Sequence, residues 1–208
     1  MIGRRIVKVC GITALSGDTD AWSNVDWIGL NFWPRSPRHL TLDAAVALVP
    51  ALPPHLRRVG VFVDPDEALV REAIAAASLG LLQFHGDESP AFCRRFGVPF
   101  LKAFAARGPE VAARVPDYLD GPDSWYLLDA AAGGGSGTPV DLTLARSLRE
   151  QLPGRMLLAG GLRPESVAAA IAAIDPAGVD VASGVESSPG VKDPTRVRAF
   201  TDAIGRAS

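Results

Sequence analysis

Cys10 closes a short β-rich run, Ile6-Val-Lys-Val-Cys10, and by the two-residue period of a strand it shares a side with Ile6 and Lys8. A thiol near an ammonium leans toward thiolate, the form that acts as a base. The position equally suits a small buried hydrophobe, the commoner use of a free cysteine. Asp129 closes another run, Trp125-Tyr-Leu-Leu-Asp129, ahead of a glycine-rich stretch at 133–137. An aspartate turned inward among apolar walls has its pKa raised by desolvation and can donate a proton. It can also simply cap the loop that follows. Arg38 sits in a loop stiffened by Pro34 and Pro37, which suits a bidentate grip on a carboxylate, although most arginines are solvated. His85 ends a further run, where it is a ligand, an acid–base group or a hydrogen-bonded rim residue. Its spacing to Cys10 and Asp129 is unlike a metal ligand set, so no metal is expected.

Glycines form a second constellation. Gly160-Gly161 and Ser183-Gly184 each follow a β-rich run, and Gly135-Ser136-Gly137 follows Asp129. Backbone N–H groups without bulky side chains beside them can approach an anion closely. A lone Gly-Gly would signify no more than a tight turn. Three such loops at successive strand ends point to a phosphate.

These residues need elements to hold them. Strand candidates lie at 6–10, 27–32, 58–63, 81–85, 100–104, 125–129, 156–159 and 179–182. Between them run helical patterns: Val70, Ile74 and Ala77 on one face, Val167, Ile171 and Ile174 on another, and Val197, Phe200 and Ile204 on a third. Asp66-Glu67, Ser89-Pro90, Pro164-Glu165 and Asp193-Pro194 read as helix starts. The patterns at 14–24 and 105–116 are weak, broken by Gly17, Gly108 and Pro109. Alternation of eight strands with about eight helices indicates an α/β fold. The count and the glycine turns after the last three strands favour a single-domain (β/α)8 TIM barrel over an open sheet. In such a barrel the strand C-termini form the active site, which is where Cys10, Asp129, His85 and the glycine turns fall.

Composition narrows the function. The chain has 208 residues with a formal net charge of −2, so no strong field draws nucleic acid or an anionic membrane. Two cysteines, Cys10 and Cys93, do not staple a chain of this length, and Cys93 reads as packing. The apolar run at 73–82 is too short to cross a bilayer, and the N-terminal residues lack the apolar stretch of a secretion signal. A reduced, soluble, cytoplasmic single domain is expected.

Taken in order, several motifs resemble one family, the phosphoribosylanthranilate isomerases of tryptophan biosynthesis. They are Val7-Lys-Val-Cys-Gly-Ile-Thr13, Ser36-Pro-Arg38, Val59-Gly-Val-Phe-Val63, Gln83-Phe-His-Gly-Asp-Glu88, the loop at 134–137, Leu158-Ala-Gly-Gly-Leu162, Gly178-Val-Asp-Val-Ala-Ser-Gly-Val-Glu186 and Pro189-Gly-Val-Lys-Asp193. The resemblance implies an Amadori rearrangement of N-(5-phosphoribosyl)anthranilate to 1-(2-carboxyphenylamino)-1-deoxyribulose 5-phosphate, without a cofactor. It implies Cys10 as general base, Asp129 as general acid and Arg38 as the clamp on the anthranilate carboxylate. Lys8, His85, Gly135, Gly137, Gly160, Gly161, Asp180, Ser183 and Gly184 complete the implied substrate-binding set. The sequence departs from the family at Phe84, where an aliphatic residue is usual, at Ser136, where Thr is usual, and at Val140-Asp141-Leu142. These departures bear on the shape of the substrate pocket and the phosphate loop.

Three other readings stand beside this one. An isomerase of the related histidine-pathway aminoaldose would carry an aspartate where Cys10 stands. An indole-glycerol-phosphate synthase would need added N-terminal segments and a catalytic lysine. A non-catalytic barrel that binds a phosphorylated metabolite would not need Cys10, Asp129 and Arg38 together. The sequence assigns no oligomeric state.

Overall fold

The computed structural model describes residues 4–15, 19–108, 110–130 and 141–205. Eight parallel strands close into a barrel in sequence order: β1 Ile6–Cys10, β2 Trp27–Asn31, β3 Arg57–Phe62, β4 Leu81–Phe84, β5 Phe100–Ala105, β6 Trp125–Asp129, β7 Arg155–Leu158 and β8 Gly178–Val181. The seam is closed by β8 pairing with β1, Lys8 opposite Asp180. Expected and observed strands agree to the residue for β1 and β6 and within one residue at each end of the others, so His85 stands just past β4.

Alternation sorts the side chains. Trp27, Val59, Leu81, Leu101, Ala103, Leu127, Leu157 and Ala159 fill the barrel interior. Their out-facing neighbours, among them Val9, Ile28, Leu30, Phe62, Leu82, Tyr126, Leu128 and Val179, pack under the helices. Strands buried on both faces are mostly apolar, which is why these runs read as nearly unbroken, with Lys8, Gln83, Lys102, Asp129 and Asp180 as the buried exceptions.

The outer layer holds α1 Leu42–Leu48, α2 Glu67–Ala77, α3 Pro90–Cys93, α4 Val111–Arg114, α5 Leu142–Gln151, α6 Val167–Ile174 and α7 Pro194–Gly205. Ser89 caps α3 through its side chain, as its position predicts, and Asp66, expected in the first turn of α2, is instead its N-cap. The two weak patterns yield little helix. The described part of the first connection carries only a 3-10 turn, Thr19–Trp22, and the fifth carries the four-residue α4. Pro164-Glu165 precedes α6 rather than opening it, because the α-helix begins at Val167. Gly17 and Pro109 lie outside the described residues.

One element was not expected. After β8 a 3-10 turn, Ser183–Val185, leads into an antiparallel hairpin, β9 Glu186–Ser188 and β10 Val191–Lys192. Thr13 Oγ1 donates to the Gly190 carbonyl at 2.7 Å, tying the hairpin to the loop after β1. Among the described residues no helix is long and apolar enough to cross a membrane.

Candidate active site

The C-terminal ends of the strands gather the polar groups. Lys8 and Cys10 project inward from β1, Gln83 and His85 from β4 and beyond, Asp129 from β6 and Asp180 from β8. Lys8 Nζ lies 2.9 Å from Asp180 Oδ2, and the lysine side chain is fully buried. The second carboxylate oxygen, Asp180 Oδ1, is buried with no hydrogen-bond partner among the described residues. An orphaned acceptor of this kind is expensive, and at the barrel mouth a ligand hydroxyl would satisfy it.

Cys10 Sγ rests against β2 at Gly29. A Cβ at Gly29 would stand 2.6 Å from that sulfur and 3.2 Å from Lys8 Nζ, so only glycine leaves room for both. Sequence reading passed over Gly29, although a glycine inside a strand is itself a sign of close approach. Burial pushes the Cys10 thiol above its ordinary range; Lys8 and Lys192 pull it down but do not prevail, and Asp180 adds to the rise. The expected gain in thiolate from Lys8 is therefore outweighed by desolvation. For Lys8, desolvation works to lower the pKa, but Asp180 and Cys10 overcome it and the ammonium is held above its usual range.

Asp129 is 6% exposed. Burial pushes its carboxyl up to about 6, against a 2.8 Å hydrogen bond donated by the Ala130 N–H and the pull of Lys8, with Asp180 adding to the rise. Oδ1 thus caps the following backbone, one of the two uses foreseen for this residue, while burial keeps the carboxyl protonatable near neutrality. His85 is pushed down to about 3 by burial and by Lys8 and Lys102, so it is a neutral ring above mildly acidic pH. The Gln83 side-chain amide nitrogen stands against His85 Nε2, an arrangement that suits a neutral ring accepting there.

The glycine turns after β7 and β8 meet each other. Gly160 and Gly161 have φ of +95° and +63°, and a Cβ at Gly184 would collide with the Leu162 carbonyl oxygen. Close packing of the two turns is thus a second reason for glycine, beside any ligand. A cleft of about 640 Å³ opens next to them, lined by Arg163, Glu165, Ser183, Gly184 and Arg196. Gly135, Ser136 and Gly137 lie outside the described residues.

Arg38 is not a solvated surface arginine. It is 7% exposed and fully engaged along one edge, Nε to Glu186 Oε1 and Nη2 to Glu186 Oε2, both at 2.7 Å. The bidentate geometry foreseen for a ligand carboxylate is thus made with a carboxylate of the protein itself. Phe84 also departs from expectation. It turns outward and is ringed by Phe62, Phe92, Phe96 and Phe100, so this departure from the family pattern reshapes the helix layer rather than the pocket. Cys93 is buried in the same layer, as read.

Comparison with known proteins decides the family. The sequence profile described as N-(5'phosphoribosyl)anthranilate (PRA) isomerase matches residues 7–203. The chain belongs to the phosphoribosylanthranilate isomerase family. It is 48% identical over 202 residues to the N-(5'-phosphoribosyl)anthranilate isomerase of Myxococcus xanthus, covering 95% of this chain and 94% of that protein. The crystal structure of phosphoribosyl anthranilate isomerase from Thermotoga maritima matches with a TM-score of 0.86 at 32% identity, over 98% of this chain and 100% of that one. A crystal structure of phosphoribosyl anthranilate isomerase in complex with reduced 1-(o-carboxyphenylamino)-1-deoxyribulose 5-phosphate matches with a TM-score of 0.84 at 30% identity, over 98% and 100% of the two chains. As a phosphoribosylanthranilate isomerase the chain is an isomerase of tryptophan biosynthesis. The expected closed barrel and family are both found.

Proposed function

We propose that the isomerisation of N-(5'-phosphoribosyl)anthranilate runs through Asp129 as general acid and Cys10 as general base, with no covalent enzyme–substrate bond. The observation that carries this reading is the position of the two groups. They end β6 and β1, strands separated around the closed ring only by β7 and β8, whose glycine turns lie between them. Two proton-transfer groups flanking an anion cradle suit a sugar phosphate held by its tail.

Protonation of the ribose ring oxygen by Asp129 lets the ring open as the anthranilate nitrogen forms a Schiff base with C1. The Cys10 thiolate then removes the proton from C2, giving an enolamine. That species gains a proton at C1 and loses one from the C2 hydroxyl as the ketone forms, so no proton is gained or lost overall. A carboxyl pushed up to about 6 holds a proton near neutrality, which an ordinary aspartate does not. Backbone N–H groups at Gly160, Gly161, Ser183 and Gly184, with Gly135 and Gly137, hold the phosphate. The orphaned Asp180 Oδ1 accepts from a sugar hydroxyl, Lys8 pairs with Asp180 and opposes the upward push of burial on its carboxyl, and neutral His85 hydrogen-bonds the substrate from just past β4. Arg38 receives the anthranilate carboxylate. A thiol base requires a reduced cysteine, which suits the cytoplasm.

The test is the decay of phosphoribosylanthranilate fluorescence on adding pure protein, repeated with Cys10→Ala and Asp129→Asn. Each variant is expected to lose roughly 10²–10⁴ in kcat. Near-full activity in either one removes that residue from its role. A stable Cys10 adduct trapped during turnover excludes the non-covalent route.

A further inference from the structure

The motif Pro189-Gly-Val-Lys-Asp193 is part of the family resemblance, yet the chemistry above gives Lys192 no part beyond its pull on the Cys10 thiol. In the fold it has a definite one. Lys192 is the cross-strand partner of Glu186 in the β9–β10 hairpin. Its Nζ lies 2.5 Å from Glu186 Oε1 and donates to the Ala182 carbonyl at 3.1 Å. The same Glu186 oxygen accepts from Arg38 Nε at 2.7 Å, and the other oxygen accepts from Arg38 Nη2 at 2.7 Å. All three side chains are buried, Lys192 at 4%, Glu186 at 6% and Arg38 at 7% exposure. The hairpin is itself fastened, by Thr13 to Gly190 and by Arg196 Nη1 to the Glu186 carbonyl at 2.6 Å.

Charge counting gives the cluster its meaning. Two cations share one carboxylate, so with all three ionised the group carries one positive charge in excess in a nearly dry place, and burial there pushes the Lys192 ammonium below its ordinary range against the pull of Glu186. Burial of such an excess is costly unless an anion joins it. A lone Arg38–Glu186 pair would be neutral and would offer a ligand carboxylate little beyond hydrogen bonds. We propose that Lys192 is a positioning residue for the ligand's carboxylate: it holds Glu186 in its two-point grip on Arg38 and supplies the charge that Glu186 cancels. This rests on the reading that Arg38 receives the anthranilate carboxylate. The ligand class is an aromatic or other rigid carboxylate at the end of the substrate remote from the phosphate.

The experiment measures dissociation constants by calorimetry for two ligands. One is reduced 1-(o-carboxyphenylamino)-1-deoxyribulose 5-phosphate and the other is its counterpart lacking the carboxyl group. Proteins compared are the wild type, Lys192→Met and Arg38→Met. Lys192→Met is expected to weaken the carboxylate ligand roughly tenfold and leave the carboxyl-free ligand unchanged. Equal losses for both ligands mean that the lysine only braces the hairpin, and no loss for either means that its charge is irrelevant; both results overturn the proposal. Arg38→Met separates the two layers of the argument. If it keeps full discrimination between the ligands, the Arg38 reading itself fails. If it loses discrimination while Lys192→Met does not, only the present inference fails. Lys192→Gln keeps a donor for Glu186 and Ala182 without the charge, and serves in place of Lys192→Met if that variant does not fold.

Discussion

Lys8 Nζ reaches Asp180 Oδ2 at 2.9 Å, so a buried ion pair spans the β1–β8 seam one inward position below Cys10. The pair does two things. It fixes the lysine beneath Cys10, and it leaves Asp180 with one oxygen unsatisfied and facing the interior.

Lys8→Met tests the first of these. The substitution strands a buried carboxylate, which is destabilising by about 3–5 kcal/mol when the group stays ionised. It also removes the main influence that lowers the Cys10 thiol against desolvation. The expected outcome is a lower Tm together with a Cys10 alkylation rate by iodoacetamide whose pH midpoint moves upward. An unmoved midpoint would show that the lysine does not reach the thiol electrostatically.

The pH dependence of kcat/KM separates acid from base. Asp129 sits at about 6, and the Cys10 thiol lies above its ordinary range, so the base is the weaker acid of the two. The active form, with the carboxyl protonated and the thiol ionised, is then a minor species of constant abundance between the two pKa values. Wild-type kcat/KM should rise up to about pH 6, stay level, and fall only above the thiol's pKa. Asp129→Asn has no acid to lose, so its residual rate should climb tenfold per pH unit across the level region. Parallel profiles for the two proteins would count against the assignment of roles.

Much of this site was legible before any coordinates. Cys10 and Asp129 end short apolar runs, and the two-residue period sets Cys10 on the side of Lys8 and Asp129 on the side of Leu127; which side faces the interior emerges only when the barrel closes. The Arg38–Glu186 pair was not legible because its members are 148 positions apart and meet only through a hairpin. That hairpin has strands of three and two residues, too short for a period to register. Its stability comes instead from Thr13 and Arg196, which belong to other elements. Desolvation of Cys10 was hidden for a related reason, since neighbours in a strand reveal charge partners but not how deeply the barrel encloses them.

Burial of Asp129 should carry a stability cost. A carboxyl raised to about 6 binds its proton more tightly when folded than when unfolded. Stability from this group is therefore greatest below about pH 4 and is lost as pH rises through the window to about 6. His85 acts the other way: its folded pKa of about 3 gives stability that is present above its unfolded value near 6.5 and lost as pH falls. The two oppose each other in the wild type, so the comparison needed is with Asp129→Asn, which keeps an oxygen for the Ala130 N–H. That variant should be about 3 kcal/mol more stable than wild type at pH 8 and about equal at pH 4 by urea unfolding. A difference independent of pH would remove desolvation of Asp129 as its source.

Gly29→Ala probes the space that lets thiol and ammonium coexist. The added methyl would lie 2.6 Å from Cys10 Sγ, 3.1 Å from the Cys10 Cα and 3.2 Å from Lys8 Nζ. The backbone atom is not free to retreat, because β1 and β2 are paired at Cys10 and Gly29. The thiol must therefore rotate away or the strands must part. Overpacking of this kind costs typically 1–3 kcal/mol. Rotation would also move the base from C2 of the substrate, so kcat should fall by roughly 10²-fold while KM, set by the phosphate and carboxylate ends, changes little. Ordinary loss of stability alone would leave the kcat of the folded fraction intact. The combination to look for is thus a reduced kcat in protein shown by circular dichroism to be fully folded at the assay temperature. A folded Gly29→Ala with wild-type kcat would show that the sulfur needs no gap in β2 to do its work.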